Sequence, residues 1–303
     1  MSADPENDIV FIPTNSATID YYGGFRPGDN LYGASIIALN ASTGERAWHF
    51  QFVHHEIWNF DTPTAPVQLD LTVDGRNIPA VVQATKQGWL YTFNRITGEP
   101  VWPIVERPVP PSIVPGEVLS PTQPHVTWPE PYSMQGISED DLIDFTPELK
   151  AEAIVAMEDY VMGGLFNPPI HAGNADGKYA AMNCPGGAGG VNITSPPVAD
   201  PVTNTLYVSE HTACFTLRLI PGEEADLLFP NSTGVTTSQF ANGVPGATAR
   251  PPRHPSGLPV WKPPYSTIVA YDMNTGEKKF TIPTGETPNR YKEALERLSL
   301  IHI

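Results

Sequence analysis

A short pattern occurs three times in this chain, in segments 38–48, 92–102 and 270–280. Each copy has an apolar strand end, an Asn or Asp, a Thr-Gly-Glu turn, and an aromatic residue four positions after the glycine. Such turns join the strands of a hairpin, and the fixed aromatic predicts one recurring docking contact. The spacing of about 50 residues between Gly44 and Gly98 predicts a β-propeller or another repeat array.

The composition supports many short strands and excludes two classes of partner. Of the 303 residues, 25 are Gly and 34 are Pro, which suits strands with many turns rather than a helical bundle. The formal net charge is −16, so binding to nucleic acid or to an anionic lipid surface is not expected. No apolar run approaches the roughly 18 residues of a membrane span, and the first residues show no signal peptide.

Four regions are predicted along the chain. Residues 1–105 form antiparallel strands, including a hairpin at Asp74-Gly75. Residues 106–180 are a Pro-rich, partly helical insertion, 181–297 return to strands, and 298–303 are a non-native or truncated tail. We therefore expect an all-β chain that is part of a larger propeller, because a propeller sheet must close or be capped.

Two local signals place helices in the insertion. Ser138 and Asp141 have the spacing of a capping box before a short helix from Leu142 to Phe145. Thr146-Pro147 opens a second helix that is predicted to run to about Tyr160. The two cysteines, Cys184 and Cys214, form a disulfide in an oxidising compartment or are small buried side chains.

The residues best suited to chemistry follow two strands. His54 to Pro63 concentrate polar and aromatic side chains directly after a strand, and such loops line one end of a propeller channel. Lys86 stands at the end of a later strand, shortly before Gly88. A cation at a channel mouth is a natural partner for an anionic or quinonoid ligand.

These segments resemble the pyrroloquinoline quinone (PQQ)-dependent alcohol and sugar dehydrogenases, which are eight-bladed propellers with tryptophan-docking repeats. The resemblance rests on His-His-x-x-Trp from His54, the run that begins at Asp61, Thr-Lys-x-Gly around Lys86, and Thr-Gly-Glu-Pro-Val-Trp from Thr97. It extends to about Arg290 and corresponds to the C-terminal portion of the family. The parent protein is expected in the periplasm.

The resemblance implies catalytic roles for three residues. Lys86 occupies the position of the cation that faces the quinone oxygens, where it would stabilise developing negative charge. Asn59 stands where many relatives have an Asp that acts as general base, and an amide cannot accept that proton. Asp61 is the carboxylate expected to replace it, although an Asx turn before Thr62-Pro63 explains it equally simply.

Four further residues have weaker assignments. Trp58 is expected to wall the cofactor pocket or to be a packing aromatic, and Asn183 to contact the cofactor or to be a turn residue. His54 and His55 are expected to bind substrate or relay a proton, or to be ordinary polar residues at a strand end. They do not predict a metal site, because no third ligand lies at a suitable spacing.

The implied cofactors are PQQ and Ca²⁺, with the calcium ligands and much of the stacking surface expected upstream. This chain alone is therefore expected to hold neither tightly. The implied reaction is oxidation of a primary alcohol or an aldose, with electrons passed to ubiquinone or a c-type cytochrome. The alternatives are a non-catalytic propeller scaffold, which Asn59 favours, and an inactive truncated fragment.

Overall fold

The fold consists mostly of strands. It was obtained as a computed structural model that describes residues 1–18, 20–187, 189–191, 196–220, 237–238 and 252–300. Within these residues there are twenty strands, two α-helices and one short 3₁₀ helix. Neither helix has the length and apolar character needed to cross a bilayer. Most of the predicted loop 221–264 and the last three residues of the predicted tail lie outside the described part.

Two antiparallel sheets form the N-terminal part of the chain. The first sheet is a four-stranded meander of β1 (Ser2–Asp4), β2 (Ile9–Pro13), β3 (Ser35–Asn40) and β4 (Arg46–Gln51). The second sheet contains β5 (Val67–Val73), β6 (Arg76–Ala84) and β7 (Leu90–Asn94). The predicted Asp74-Gly75 turn joins β5 to β6, and both turn residues have positive φ angles, as this hairpin type requires.

The three repeated turns share one set of hydrogen bonds. In each, the glycine N–H donates to the backbone carbonyl of the Asn or Asp four residues earlier, at 2.7–2.9 Å. The Glu N–H donates to the preceding Thr hydroxyl at 3.2 Å in all three. Gly44, Gly98 and Gly276 have φ angles of 75°, 77° and 77°, in the region that glycine adopts without steric cost. The repeated sequence therefore encodes a repeated turn.

An indole ring links the first sheet to the second. Trp48 Nε1 donates to the Arg95 carbonyl at 3.1 Å, and a Cβ on Gly98 would lie 2.7 Å from the indole carbons. The core between these sheets also brings the Trp48 ring within 5.7 Å of Phe93, measured between centroids. Trp128, which lies outside the three repeats, makes the corresponding contact with the last repeated turn and donates to the Thr275 carbonyl at 2.7 Å. The predicted recurring contact is not found for the repeat aromatic Phe280, which is 43% exposed and contacts Tyr207.

The region 106–180 contains more strand than its Pro-rich sequence predicts. The elements are β8 (Ile104–Pro108), β9 (Thr122–Val126), β10 (Gly136–Ile137), the 3₁₀ helix Glu139–Asp141, α1 (Pro147–Met157), β11 (Tyr160–Val161), β12 (Gly163–Gly164) and β13 (Ile170–His171). The predicted capping box at Ser138 is present, but the prediction of a helix from Leu142 to Phe145 is wrong, because the helical turn ends at Asp141. The helix α1 ends three residues before Tyr160, the predicted limit. Short strands surround these helices, and β10 with β12 and β8 with β9 form separate two-stranded sheets.

Two sheets and one helix complete the described chain. The remaining elements are β14 (Ala180–Asn183), β15 (Val198–Asp200), β16 (Thr205–His211), β17 (Phe215–Ile220), β18 (Thr237–Ser238), β19 (Ser266–Asp272), β20 (Glu277–Pro283) and α2 (Asn289–Arg297). A mixed sheet has the order β11-β14-β17-β13, with β18 paired to β17, and the last sheet has the order β15-β16-β19-β20. The sequence analysis did not predict α2. Its buried Ala294 packs into a core that includes Leu142 and Val260.

The two cysteines are joined in a disulfide between Cys184 and Cys214. The bond connects the end of β14 to the segment before β17, two strands that pair directly in the mixed sheet. Of the two possibilities that the sequence left open, the structure has the covalent one.

A buried ion pair holds two loops behind β4. His55 Nε2 lies 2.6 Å from Glu117 Oε1, with 2% and 1% of the two side chains exposed. Burial alone would lower the pKa of His55, but hydrogen bonds with Glu117 and the Gly28 carbonyl raise it overall. Burial likewise opposes the net lowering of the Glu117 pKa, which His55 and the Gly23 N–H produce. The pair thus joins the loop after β4 to the loop around Glu117, and the Gly23 N–H attaches a third loop to the same carboxylate.

The two turn glycines provide a matched test of the indole contact. We expect Gly98→Ala to lower the free energy of unfolding by about 2–5 kcal/mol, combining the left-handed cost with overpacking. Gly44→Ala has a similar φ angle but no atom within 4 Å of the added Cβ, so about 1–2 kcal/mol is expected. Denaturant unfolding of both variants measures the difference, and equal losses would contradict a role for the Trp48 contact.

The buried pair predicts a pH-dependent stability. The His55 contribution is complete below its unfolded pKa of 6.5 and is lost as pH rises through the raised folded value. The Glu117 contribution is complete above 4.5 and is lost as pH falls through the lowered folded value. We therefore expect Glu117→Gln to lower the free energy of unfolding most between pH 4.5 and pH 6.5, by about 3–5 kcal/mol.

The exposed pair of His54 and Glu106 is the control for this prediction. Glu106 is 49% exposed, so Glu106→Gln should change the free energy of unfolding by less than about 1 kcal/mol at any pH. Urea titrations from pH 4 to pH 9 measure both variants. A pH-independent effect of Glu117→Gln would show that the pair is not ionised in the folded protein.

Candidate active site

The candidate site forms where the loop after β4 meets the loop after β6. Lys86 Nζ donates to the Asn59 carbonyl at 3.1 Å, to Asn59 Oδ1 at 2.8 Å and to Asp61 Oδ2 at 2.7 Å. The structure therefore brings together all three residues to which the sequence assigns the main catalytic roles. Their assigned roles themselves stay predictions.

Lys86 is a buried charge whose partners are all present. Only 7% of its side chain is exposed, and that of Asp61 is 19% exposed. An ammonium in such surroundings must be paired and hydrogen-bonded, because its desolvation costs several kcal/mol. Its three donors match the three oxygens that surround it. This arrangement fixes the position of the positive charge.

A carboxylate shapes the turn that presents Asn59. Glu56 Oε1 accepts hydrogen bonds from the N–H groups of Trp58 and Phe60, at 2.6 and 2.8 Å. These two donors flank Asn59, which has a φ angle of 61°. Asn tolerates this left-handed conformation better than most residues because its short polar side chain bonds locally. Glu56 therefore holds the backbone conformation that directs Asn59 to Lys86.

Glu56 is also an unusual acid. Burial raises its pKa to about 7, against the lowering effect of its backbone hydrogen bonds with Phe60 and Trp58 and of the nearby Ser16 hydroxyl. Only 2% of the residue is exposed. Its second oxygen, Oε2, has no hydrogen-bond partner of ordinary geometry among the described residues. Burial is therefore the dominant influence on the ionisation of this carboxyl group.

Two further carboxylates approach Asn59 and Lys86. Asp20 Oδ2 accepts a hydrogen bond from Asn59 Nδ2 at 3.0 Å. Asp61 Oδ1 accepts one from the Ser16 N–H at 2.9 Å. Burial and then the charges of Asp20, Glu56 and Asp61 raise the pKa of Tyr21, so all three carboxylates lie near one phenol. The site carries more acidic groups than the sequence analysis assigned to it.

Asp20, Ser16 and Glu56 were missed as site residues. Asp20 and Ser16 belong to the loop between β2 and β3, about 40 residues before Asn59, so no local pattern connects them. Glu56 stands within the segment from His54 to Pro63, in which most of the other candidate residues were predicted. The available signal was a carboxylate between His55 and Ile57, in a segment already predicted to carry functional side chains.

A glycine-rich loop closes over the same residues. A Cβ on Gly187 would lie 2.8 Å from Asn59 Oδ1, and one on Gly190 would overlap the Lys86 carbonyl. Glycine at these positions permits the close approach of one backbone to another. The loop begins after Asn183, which is fully buried and donates through Nδ2 to the Leu165 carbonyl at 3.1 Å. The Oδ1 of Asn183 has no partner among the described residues.

The remaining predicted residues make hydrogen bonds with partners other than Lys86. Trp58 is fully buried, donates through Nε1 to the Asn167 carbonyl at 2.9 Å, and stacks near Phe60. His54 contacts Gln51 and Glu106 through its two ring nitrogens, and His55 is occupied by the buried pair described above. Their assignments to cofactor and substrate stay predictions.

The described residues do not form a calcium cage by themselves. In this part of the chain, no group of three or more His, Cys, Asp or Glu side chains is arranged to hold a metal ion. Calcium requires several oxygen ligands in one cage. No step of the chemistry below therefore involves a metal ligand from this chain.

Several known proteins are similar to this chain in sequence. The quinate/shikimate dehydrogenase (quinone) of Acinetobacter baylyi is 31% identical over 293 residues, which cover 94% of this chain and 35% of that protein. The quinoprotein glucose dehydrogenase of Escherichia coli is 31% identical over 285 residues, covering 90% and 34%. The glycerol dehydrogenase large subunit of Gluconobacter thailandicus is 28% identical, covering 92% and 39%. The chain spans about a third of the length of these relatives.

A structural comparison and a family match agree with this result. A europium-containing methanol dehydrogenase superposes with a TM-score of 0.52 at 16% identity, covering 93% of this chain and 38% of that one, which supports the fold. The family described as PQQ glucose/ethanol/alcohol dehydrogenase, β-propeller domain, matches residues 1–300. The expected propeller fold is thereby confirmed, and the chain belongs to the PQQ-dependent dehydrogenase family.

Proposed function

We propose that this chain is part of a dehydrogenase that oxidises a primary alcohol or an aldose by hydride transfer to PQQ. Membership of the family supports the cofactor and the reaction type. The observation that carries the proposal is the buried Lys86 ammonium, fixed by Asn59 and Asp61 at the meeting point of two loops. A scaffold has no evident need for a desolvated charge in that place.

The residues of this chain have distinct tasks in the proposed reaction. PQQ supplies a two-electron acceptor when bound. Lys86 stabilises negative charge that develops on the acceptor, since a preorganised cation in a dry site is effective without reorganisation. Asn183 offers its unpartnered buried oxygen to a donor on the ligand. Asn59 and Asp61 hold Lys86 in place. His54 and His55 are the proposed contacts for the substrate. Trp58 is the proposed wall of the cofactor pocket.

The whole protein is proposed to be an eight-bladed propeller whose blades are joined by docked tryptophans. The contacts of Trp48 and Trp128 with glycine turns support this arrangement. We also propose a periplasmic location, which the disulfide between Cys184 and Cys214 supports. Ubiquinone or a c-type cytochrome is the proposed electron acceptor, and one relative is named as a dehydrogenase acting with a quinone.

Quinone titration of charge variants tests the proposal. We expect Lys86→Met to weaken PQQ binding at least about tenfold, because the variant loses the fixed positive charge that attracts the anionic quinone, and a tenfold change corresponds to about 1.4 kcal/mol. Lys292→Met removes a charge from an exposed pair with Glu286 and should leave binding unchanged. The measurement is the quinone absorbance of the chain, alone and together with any sequence that its gene encodes on either side, in the presence of Ca²⁺.

Substrate oxidation then separates the candidate functions. Reduction of the bound quinone by an alcohol or by glucose is expected. Quinone binding that no alcohol or sugar reduces would favour the binding-module alternative, to which Asn59 points. If Lys86→Met and the unaltered protein bind the quinone equally, Lys86 does not face the cofactor.

A further inference from the structure

The proposed reaction requires a group that accepts the hydroxyl proton of the substrate, and this inference rests on that proposed function. The Asn59 amide cannot serve, because it has no basic oxygen or nitrogen at neutral pH. Three carboxylates lie around it, namely Asp20, Glu56 and Asp61. Their contacts differ enough to choose among them.

Two of these carboxylates are already committed. Glu56 is 2% exposed, and one of its oxygens accepts two backbone N–H groups that shape the Asn59 turn. A substrate cannot reach it without unfolding that turn. Asp61 uses both oxygens, one for the Ser16 N–H and one for Lys86 Nζ at 2.7 Å. A proton on Asp61 would remove the charge that pairs with Lys86, leaving a buried cation less stable.

Asp20 is the carboxylate that has an oxygen available to accept a proton. It is half-buried, so it meets both the site and solvent. One oxygen accepts a hydrogen bond from Asn59 Nδ2 at 3.0 Å, and the other receives none from the described residues. Asn59 Oδ1 is held at the same time by Lys86. The amide therefore connects the cation to this carboxylate and fixes both.

We propose that Asp20 is the catalytic proton acceptor and that Asn59 is its positioning residue. The substrate O–H bond breaks and its proton forms an O–H bond with an Asp20 carboxylate oxygen. The electron pair left on the substrate oxygen forms the carbonyl bond. With the quinone bound, the hydride and its two electrons would leave the carbinol carbon for that acceptor, which would balance the oxidation of the alcohol. Asp20, which accepts a hydrogen bond from the Asn59 amide, thus supplies the carboxylate that Asn59 lacks.

An exchange of the two side chains tests this assignment. Asp20→Asn keeps an oxygen that can accept from Asn59, so the fold and quinone binding should persist, while kcat should fall about 10²–10⁴-fold with loss of the general base. The double variant D20N/N59D exchanges the two groups, so that the amide is at position 20 and the carboxylate is at position 59. We expect it to recover at least about tenfold in kcat over D20N.

The controls keep each outcome distinct. Asp74→Asn removes a carboxylate from an exposed hairpin turn and should retain the full rate. Wild-type kcat in D20N would overturn the proposal, and so would a double variant no faster than D20N, since that result indicates a structural role. Thermal unfolding and quinone titration of each variant confirm that only turnover has changed. Absence of quinone binding and turnover in the unaltered protein would instead overturn the proposed function itself, and the role of Asp20 with it.

Discussion

The geometry of the site depends on the pairing of one buried ammonium. Lys86 lies at the end of β6, and the three oxygens around it come from two residues of the loop after β4. Separating these loops would leave a charge in a poorly solvated place, at a cost of several kcal/mol. The conformation of Asn59, which Glu56 maintains through two backbone N–H groups, is what supplies two of those oxygens. The pairing of the Lys86 charge and the backbone conformation of Asn59 therefore depend on each other.

The same constraint explains why acidic groups collect around a single cation. Asp61 neutralises Lys86, Glu56 supports the turn, and Asp20 reaches the opposite side of the Asn59 amide. Each has a different exposure and different donors, so chemically similar side chains acquire different tasks. In other systems, the environment of each carboxylate likewise decides which one is charged and which one exchanges protons.

Local patterns in the sequence predicted the features that depend on neighbouring residues. The repeated turns, the Asp74-Gly75 hairpin and the start of α1 follow from turn and capping preferences, and the family motifs placed Asn59, Asp61 and Lys86 in one site. Asp20 and the approach of Gly187 to Asn59 were not predictable in this way. They depend on loops that meet only after the sheets have formed. The short strands of the insertion are too brief for a periodic pattern. The helix α2 is amphipathic, with Tyr291, Ala294 and Leu295 packed into a core, so its pattern was a signal that the prediction missed.

The indole contact between the first two sheets affects how such a chain acquires its structure. Trp48 and the turn at Gly98 are about 50 residues apart, and neither gains from the contact until both hairpins exist. Closing that separation costs entropy before any stabilisation is returned. Stability along the chain is then a property of neighbouring pairs of sheets rather than of single ones, as in a one-dimensional array with nearest-neighbour coupling. Damage to one such contact would loosen two sheets at once and leave more distant ones intact.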